Sequence, residues 1–212
     1  YYVIDWNNKG SDVAFTEEQY FTTMKSALFM DELINKHVAI MDKYDPQNEI
    51  DLIVDEWGGW YEVQEGTNPG FLYQQNTMRD AIIAGTYYVL KMYTMHHDAT
   101  LLPIELKTPD YTLNGDKLPA ISASASKDAA GKTHISLVNI DAKKENTITV
   151  DLSKLNIKDF SATILSSDKL QDHNSFENPN KIQPKSFNDF KFKKGVLEIK
   201  IPAFSVVVLE GN

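Results

Sequence analysis

The chain has 212 residues, of which 42% are hydrophobic and 24% charged, a composition typical of a globular protein with one large or two small domains. Its 21 basic and 30 acidic residues give a net charge of −9, which argues against a nucleic-acid partner because phosphates attract basic surfaces. The longest apolar runs, such as 206–209, are far shorter than the about 20 residues of a membrane span, so no membrane partner is predicted. The chain has no cysteine, which excludes disulfides and thiolate metal sites and leaves the localisation open.

Charge is distributed unevenly along the chain. Residues 1–100 have a net charge of −10, whereas residues 101–212 have a net charge of +1. Neither internal repeats nor low-complexity tracts accompany this shift. The shift predicts two structural units, with a boundary near Thr100 to Pro103.

The first half alternates between helical and strand-like segments. Thr16 and Gln19 have the spacing of a capping box, in which each side chain bonds a free backbone N–H of the other residue. Apolar residues at helical spacing follow, and a proline two residues after Tyr44 predicts that the helix ends there. The β-branched run 50–54 predicts a strand, and 76–84 predicts a second helix. This order is typical of an α/β parallel sheet or barrel.

The second half has a different period. Residues 128–131 have the composition of a hairpin turn. Four segments alternate between polar and apolar residues with a period of two and predict strands: 120–125, 134–139, 147–150 and 196–201. Short strands separated by turns favour an antiparallel β-sandwich. We interpret this half mainly as a structural module.

Glu56 is the sharpest candidate for a catalytic residue. It follows the predicted strand and is flanked by aromatic residues and two glycines. Active sites of parallel α/β folds lie at the carboxyl ends of the strands. Aromatic faces pack against sugar C–H groups, and a carboxylate can attack the anomeric carbon, so the pattern suits glycoside chemistry. The alternative is a loop glutamate paired with a basic neighbour. Asp55 points to the opposite face of an extended chain and is expected to make a structural contact.

A second carboxyl group, which glycoside hydrolysis requires, is not evident from the spacing. Glu49 follows an asparagine, but about 20 Å of extended chain separate it from Glu56. Glu62 and Glu65 lie on the following loop and are weak candidates.

Histidines do not predict a metal site. His96 and His97 are adjacent, and neighbouring residues of a helix or strand do not readily face the same ion, for which the helical spacing is i, i+4. His173 lies in a polar segment and is expected to be a hydrogen-bonded loop residue. We therefore expect neither a metal nor a cofactor.

Several long motifs resemble one known family. The most specific are VDEWGGWY at 54–61 and GTNPGFLYQQNTMRDA at 66–81. Shorter ones follow the same order along the chain: 37–46, 98–103, 119–126, 173–179 and 202–209. Together they resemble the α-L-arabinofuranosidases of glycoside hydrolase family 51 over nearly the whole chain.

The resemblance implies a (β/α)₈ TIM barrel followed by a jelly-roll antiparallel β-sandwich. It also implies a retaining hydrolase that releases terminal α-L-arabinofuranosyl residues from arabinan or arabinoxylan. On this basis Glu56 is the nucleophile, Trp60 forms an aromatic wall of the sugar pocket, and Tyr2 hydrogen-bonds the nucleophile. The expected partners are an arabinofuranosyl-containing oligo- or polysaccharide and further copies in a homo-oligomer.

The sequence departs from the family pattern in three places, one of which is a histidine that family members carry just before the tyrosine pair. The family's Asn-Glu acid/base lies on an earlier strand, and this chain begins at Tyr1. After Gly85 the family continues for several dozen residues that are absent here. We therefore expect residues 1–100 to be a C-terminal part of the barrel and residues 101–212 to be the sandwich. A barrel with so few strands cannot close, so the chain alone should have little or no activity.

Two other functions remain open at this point. The sandwich could be a non-catalytic carbohydrate-binding or oligomerisation module, with Phe187, Phe190 and Phe192 as possible sugar contacts, although their spacing is more typical of a core. The protein could also be a retaining glycosidase of the same barrel type that acts on xylosides or glucans, since pocket contacts decide the sugar.

Overall fold

A computed structural model describes residues 1–3, 5–67, 73–84 and 87–212. The chain divides into two compact units, Tyr1–Gln75 and Asn76–Asn212. The division after Gln75 lies 25 residues before Thr100, near which the charge pattern predicts the boundary. The helices that follow Gln75 explain this difference, because they pack within the second unit.

Helix α1 (Glu17–Tyr44) dominates the first unit. Thr16 and Gln19 form the predicted capping box, and Asp45 caps the other end, so both predicted helix ends are confirmed. Only one end of the helix is covered: its buried residues are Tyr20, Phe21, Thr23 and Met24. The later turns expose apolar side chains such as Ile40, which is 56% accessible. Local hydrogen bonds therefore define both ends of helix α1, whereas packing stabilises its first turns.

The predicted strand at 50–54 is wrong for this unit. Residues 51–57 have no regular secondary structure and pair with no strand among the described residues. Ile50 and Ile53 are 67% and 75% exposed. A strand needs a neighbour to receive its backbone hydrogen bonds, and none is supplied here. In this part of the unit, the described residues contain one isolated parallel β-bridge, between Tyr2 and Gly58. The expected partial barrel is thus not observed.

The second unit is built from antiparallel strands and confirms the predicted β-sandwich. One sheet has the order β1-β4-β5-β11-β7-β8, a second has the order β6-β10-β9, and β2 and β3 form a hairpin. The bounds are β1 Thr100–Leu101, β2 Asp110–Leu113, β3 Asp116–Pro119, β4 Ile121–Lys127, β5 Thr133–Asn139, β6 Asn146–Asp151, β7 Phe160–Leu165, β8 Lys185–Ser186, β9 Phe190–Lys193, β10 Val196–Ile201 and β11 Ser205–Gly211.

The core of the sandwich lies between the six-stranded and three-stranded sheets. Leu137 and Val207 from the larger sheet pack with Leu197 and Ile199 from the smaller one, and all four are buried. The predicted hairpin turn also forms between β4 and β5. Gly131 closes it in the left-handed region (φ 87°), where glycine is favoured because it has no Cβ.

Helices α2 (Met78–Ala84) and α3 (Tyr87–Tyr93) cover the other face of the six-stranded sheet. Met78 and Met92 pack there against Val206 and Val208, which alternate with the core residues of β11. A 3₁₀ turn (Thr94–His96) follows α3. This packing assigns the residues after Gln75 to the second unit. Among the described residues, no helix is long and apolar enough to span a membrane.

Candidate active site

The side chains of Tyr2 and Glu56 meet in the first unit. The Tyr2 hydroxyl donates a hydrogen bond to Oε1 of Glu56. Backbone pairing brings them together: the N–H of Val3 donates to the carbonyl of Gly58 (2.8 Å), and the N–H of Gly58 donates to that of Tyr1 (3.3 Å). The two segments run parallel, so residues 54 positions apart project from adjacent extended chains.

Aromatic rings surround the Tyr2 phenol. Trp60 contacts it edge-on, with ring centroids 5.1 Å apart and an interplanar angle of 83°. Trp6 makes a similar contact at 6.3 Å and 82°. Lys9 lies over the Trp6 ring, with its Nζ 4.8 Å from the centroid. Sequence reasoning missed Trp6, although a tryptophan four residues after Tyr2 was the available signal.

The carboxylate changes the acidity of the phenol. The hydrogen bond to Glu56 raises the pKa of Tyr2 above its usual value of 10.0, and burial and the negative charge of Glu56 add to the effect. The phenol therefore stays protonated near neutral pH and acts as a donor. The Tyr2 hydroxyl thus holds the Glu56 carboxylate in one orientation by donating a hydrogen bond to it.

A close backbone approach shapes the loop after Glu56. A Cβ at Gly59 would lie 2.1 Å from the hydroxyl oxygen of Tyr61, which is buried. The backbone N–H of Tyr61 donates to Oε1 of Gln74 at 2.7 Å. Glycine at position 59 thus lets Tyr61 enter the core of the unit while Trp60 stays half-buried beside Tyr2.

A buried carboxylate joins the loops on either side of the candidate site. Asp12 is fully buried and accepts hydrogen bonds from Nε2 of Gln64 (2.7 Å) and from the backbone N–H of Gln75 (2.6 Å). These contacts hold the segment after Trp60 against the segment after Trp6. Asp12 was not singled out from the sequence, because an isolated acidic residue carries no pattern.

The other carboxyl groups considered from the sequence are exposed, as Glu56 itself is. Asp55, Glu62 and Glu65 follow or flank Glu56, and Glu49 lies before the extended run. The backbone N–H of Glu62 donates to the carbonyl of Gly10 at 3.0 Å, which is a structural contact. Residues 68–72 of the second long motif, and Gly85, lie outside the described residues.

The histidines of interest point to different partners. Both ring nitrogens of His96 contact serine hydroxyls, whereas Nδ1 of His97 lies 3.1 Å from the Asp98 carboxylate. Nδ1 of His173 is 3.0 Å from the backbone carbonyl of Gln171, the loop contact expected for it. Within the part of the chain that the structure describes, no cluster of three or more His, Cys, Asp or Glu residues could hold a metal ion.

The three phenylalanines considered as sugar contacts face the core of the sandwich. Phe187 is buried, and Phe190 and Phe192 pack against the same core cluster. The Phe192 ring contacts Phe160 with centroids 5.1 Å apart. The packing interpretation of these residues is therefore the one that the structure supports.

Comparisons with known proteins identify the family of the chain. The model of the alpha-L-arabinofuranosidase C-terminal domain matches residues 55–87 and 85–205. An intracellular exo-alpha-L-arabinofuranosidase from Bacteroides ovatus is 38% identical over 252 residues, which cover 99% of this chain and 49% of that protein.

Solved structures give the same result. The glycoside hydrolase family 51 arabinofuranosidase from Xanthomonas axonopodis pv. citri has a TM-score of 0.95 at 33% identity, over 100% of this chain and 52% of the other. A family 51 alpha-L-arabinofuranosidase from Bifidobacterium longum shares the fold, with a TM-score of 0.79 at 20% identity over 100% of this chain and 52% of the other.

The sandwich and these matches assign the chain to a family of glycoside hydrolases. The chain belongs to the α-L-arabinofuranosidases of glycoside hydrolase family 51, as the motifs indicated, and it matches their C-terminal part. It spans about half the length of the relatives it matches.

Proposed function

We propose that this chain is part of a retaining α-L-arabinofuranosidase in which Glu56 is the nucleophile. The observation that carries the proposal is the hydrogen bond from Tyr2 to Glu56, with Trp60 packed on the same phenol. Tyr2 orients the carboxylate, and Trp60 supplies an apolar face for the sugar ring. The membership of the family supports the choice of sugar.

The proposed reaction has two steps. A carboxylate oxygen of Glu56 attacks the anomeric carbon and forms a glycosyl ester, while a general acid protonates the departing oxygen. The same acid then acts as a base, and an activated water hydrolyses the ester with retention of configuration. Retention requires the two carboxyl groups to lie about 5–5.5 Å apart, and we place the second one outside residues 1–212.

We also propose that residues 1–100 are a C-terminal part of a TIM barrel, followed by the sandwich at 101–212. The exposed apolar side chains of Ile50 and Ile53 support this, because further parallel strands would cover them. The family model matches in two pieces that meet at 85–87, and the alignment with the Bacteroides ovatus enzyme extends over more positions than this chain contains. Both observations support an internal segment after Gly85 in relatives.

The experiment compares the whole protein that contains this chain with its Glu56→Gln variant on an aryl α-L-arabinofuranoside. Loss of the nucleophile should lower kcat by at least about 10⁴-fold, since the covalent step is then blocked. Glu62→Gln, on the following loop, is the matched control and should retain most activity. Turnover by Glu56→Gln close to that of the parent protein would disprove the assignment.

The 212-residue chain is itself a second test. We expect little or no turnover from it, because it lacks a partner carboxyl group for Glu56 in the proposed scheme. Activity close to that of the whole protein would contradict the proposal that the acid/base lies elsewhere. Proton NMR of the first-formed sugar should show the α anomer if the mechanism is retaining.

The natural substrate and assembly belong to the same proposal. We expect release of terminal arabinose from arabinan or arabinoxylan, with xylosides and glucans as poorer substrates, and a homo-oligomer in solution. Sugar analysis after digestion and light scattering test these two points. Larger turnover on xylosides or glucans would show that the proposed sugar is wrong. The proposed role of Glu56 as nucleophile would be unaffected.

A carbohydrate-binding role for the sandwich has less support. A groove of about 850 Å³ runs between the segment 102–109 and β6, but its lining is aliphatic and polar, without an aromatic side chain among the described residues. Sugar platforms are usually aromatic, and Phe187, Phe190 and Phe192 face the core. Calorimetry of residues 76–212 with arabinan is expected to show no binding.

A further inference from the structure

His96 joins the helical segment to the sheet in the second unit. It ends the 3₁₀ turn after α3, and its ring contacts two neighbouring strands. Nδ1 lies 2.7 Å from Oγ of Ser126 on β4, and Nε2 lies 2.6 Å from Oγ of Ser136 on β5. Both serines are almost completely buried, at 3% and 1% accessibility. One imidazole thus satisfies two buried hydroxyl groups.

The contacts of Ser136 restrict how these protons are arranged. A neutral imidazole has one N–H donor and one acceptor nitrogen, so one serine accepts from the ring and the other donates to it. The ring of Tyr93, the last residue of α3, packs against the His96 ring with centroids 5.5 Å apart. The contacts of His96 with Tyr93, Ser126 and Ser136 therefore connect the end of α3 to β4 and β5.

A second histidine on the same face of the sheet adds positive charge when protonated. His134 on β5 has a side chain that is only 3% exposed, and its ring centroid is 6.2 Å from that of His96. Its Nε2 lies 3.0 Å from Oδ2 of Asp128 in the hairpin turn. Its Nδ1 lies 3.9 Å from Oε2 of Glu210 on β11.

The acidic residues of this cluster, Asp128 and Glu210, lie against His134 and Lys132. Glu210 forms an ion pair of 2.7 Å with Lys132 at the start of the hairpin. Asp128 has a lowered pKa, mainly because of its hydrogen bond with His134. The ring nitrogens of His96, in contrast, contact hydroxyl groups. Burial, and then the neighbouring His134, lower the pKa of His96 below its usual value of 6.5.

We propose that His96 is an acid-sensitive latch that holds the 3₁₀ turn against β4 and β5, and through that turn the end of α3, while its ring is neutral. Protonation makes both ring nitrogens donors, so the serine that had donated to the ring has to turn. It also places a positive charge on the His96 ring, next to His134. The nearby carboxylates of Asp128 and Glu210 face His134 and not His96. Each effect favours release of the helical segment at acidic pH.

The direction of the pH dependence follows from the lowered pKa. The folded latch binds fewer protons than the unfolded chain between the folded pKa and about 6.5, so stability rises with pH across that window. The contribution of His96 is complete above about pH 6.5 and is lost as the pH falls through the lowered, folded pKa. Because the ring is only half-buried, solvent screening weakens the effect.

The first experiment measures the thermal midpoint of the 212-residue chain between pH 5 and pH 8. His96→Asn and His97→Asn are compared with the parent chain, and the neighbouring His97 is the control because its side chain is 81% exposed. The parent and His97→Asn should lose stability in parallel below about pH 6.5, whereas His96→Asn should start lower and show a flatter profile. Parallel profiles for the parent and His96→Asn would overturn the proposal.

The second experiment uses the parent chain and does not require that His96→Asn folds. Hydrogen exchange, corrected for the intrinsic effect of pH, compares amides of α3 with those in the centre of β5. Acid should raise the opening of α3 a few-fold more than that of β5. Equal changes in both elements would show global loosening and refute a local latch. Ser136→Ala should raise the opening of α3 at pH 8 as well, because it removes a contact without removing a titratable group.

Discussion

The two units of this chain differ in where their strands find partners. In the second unit, each strand of the two main sheets is paired within 76–212, and apolar clusters cover both faces of the six-stranded sheet. In the first unit, the residues 50–54 form no strand, and their apolar side chains are exposed. An antiparallel sandwich completes its hydrogen bonds within a short stretch of chain, whereas a parallel strand depends on neighbours that are distant in sequence. The second unit thus pairs its own strands, and the proposed barrel origin of the first unit accounts for its unpaired segment.

The largest expected effect comes from separating the two units. Residues 76–212 expressed alone should unfold in one cooperative transition, because their sheets and both apolar clusters are intact. Residues 1–75 alone should show no cooperative transition, since burial in α1 is limited to its first turns. Circular dichroism and urea unfolding of both pieces measure this. A sharp transition in 1–75 would remove the contrast between the units.

Core substitutions should give the next largest difference. Leu197 on β10 is 0% exposed in the core of the sandwich, so Leu197→Ala should lower the free energy of unfolding of the second unit by about 2–5 kcal/mol. Ile53→Ala, at a side chain that is 75% exposed, should change stability by less than about 0.5 kcal/mol. Urea unfolding of the 212-residue chain compares them. Similar losses for both variants would mean that Ile53 is covered in solution.

Two glycines offer the smallest and most closely matched test. Gly131 (φ 87°) and Gly66 (φ 82°) are both left-handed, and no atom crowds the position of an added Cβ at either. Gly131→Ala should cost about 1 kcal/mol, because it strains the turn between two paired strands. Gly66→Ala should leave the main unfolding transition unchanged. A larger effect at Gly66 would indicate that the first unit contributes to that transition.

Much of the fold was predictable because its signals are local. The capping box of Thr16 and Gln19 and the period of two in 134–139 and 196–201 involve residues close in sequence, and the structure contains the cap and both strands. Burial alternates in β10, whereas β5 is buried on both faces. The strand at 50–54 has equally good local signals but lacks a partner. Its failure shows that β-propensity describes a surface suited to pairing and does not create the pair.

The candidate site was predictable only in part. Glu56 was found from its position after an apolar run, and Tyr2 and Trp60 entered through the family resemblance; the structure brings the three together. Trp6 and Asp12 were missed, since a single aromatic or acidic residue has no periodicity that distinguishes it. The identity of the general acid stays a prediction about residues outside this chain.

The sequence by itself determined the helix ends, the alternation of the sandwich strands, the turn at 128–131 and the family, because hydrogen-bonding caps, side-chain period and long motifs are all short-range or linear information. Only the tertiary structure decided where the units divide, which strands lie side by side, and that His96 meets two serines of the sheet. Several of these arrangements depend on burial and backbone pairing between residues 30 or more positions apart, as in the pairing of β5 with β11 and the contact of His96 with Ser126. Such pairings are selected by the packing of the whole unit and leave no local pattern in the sequence.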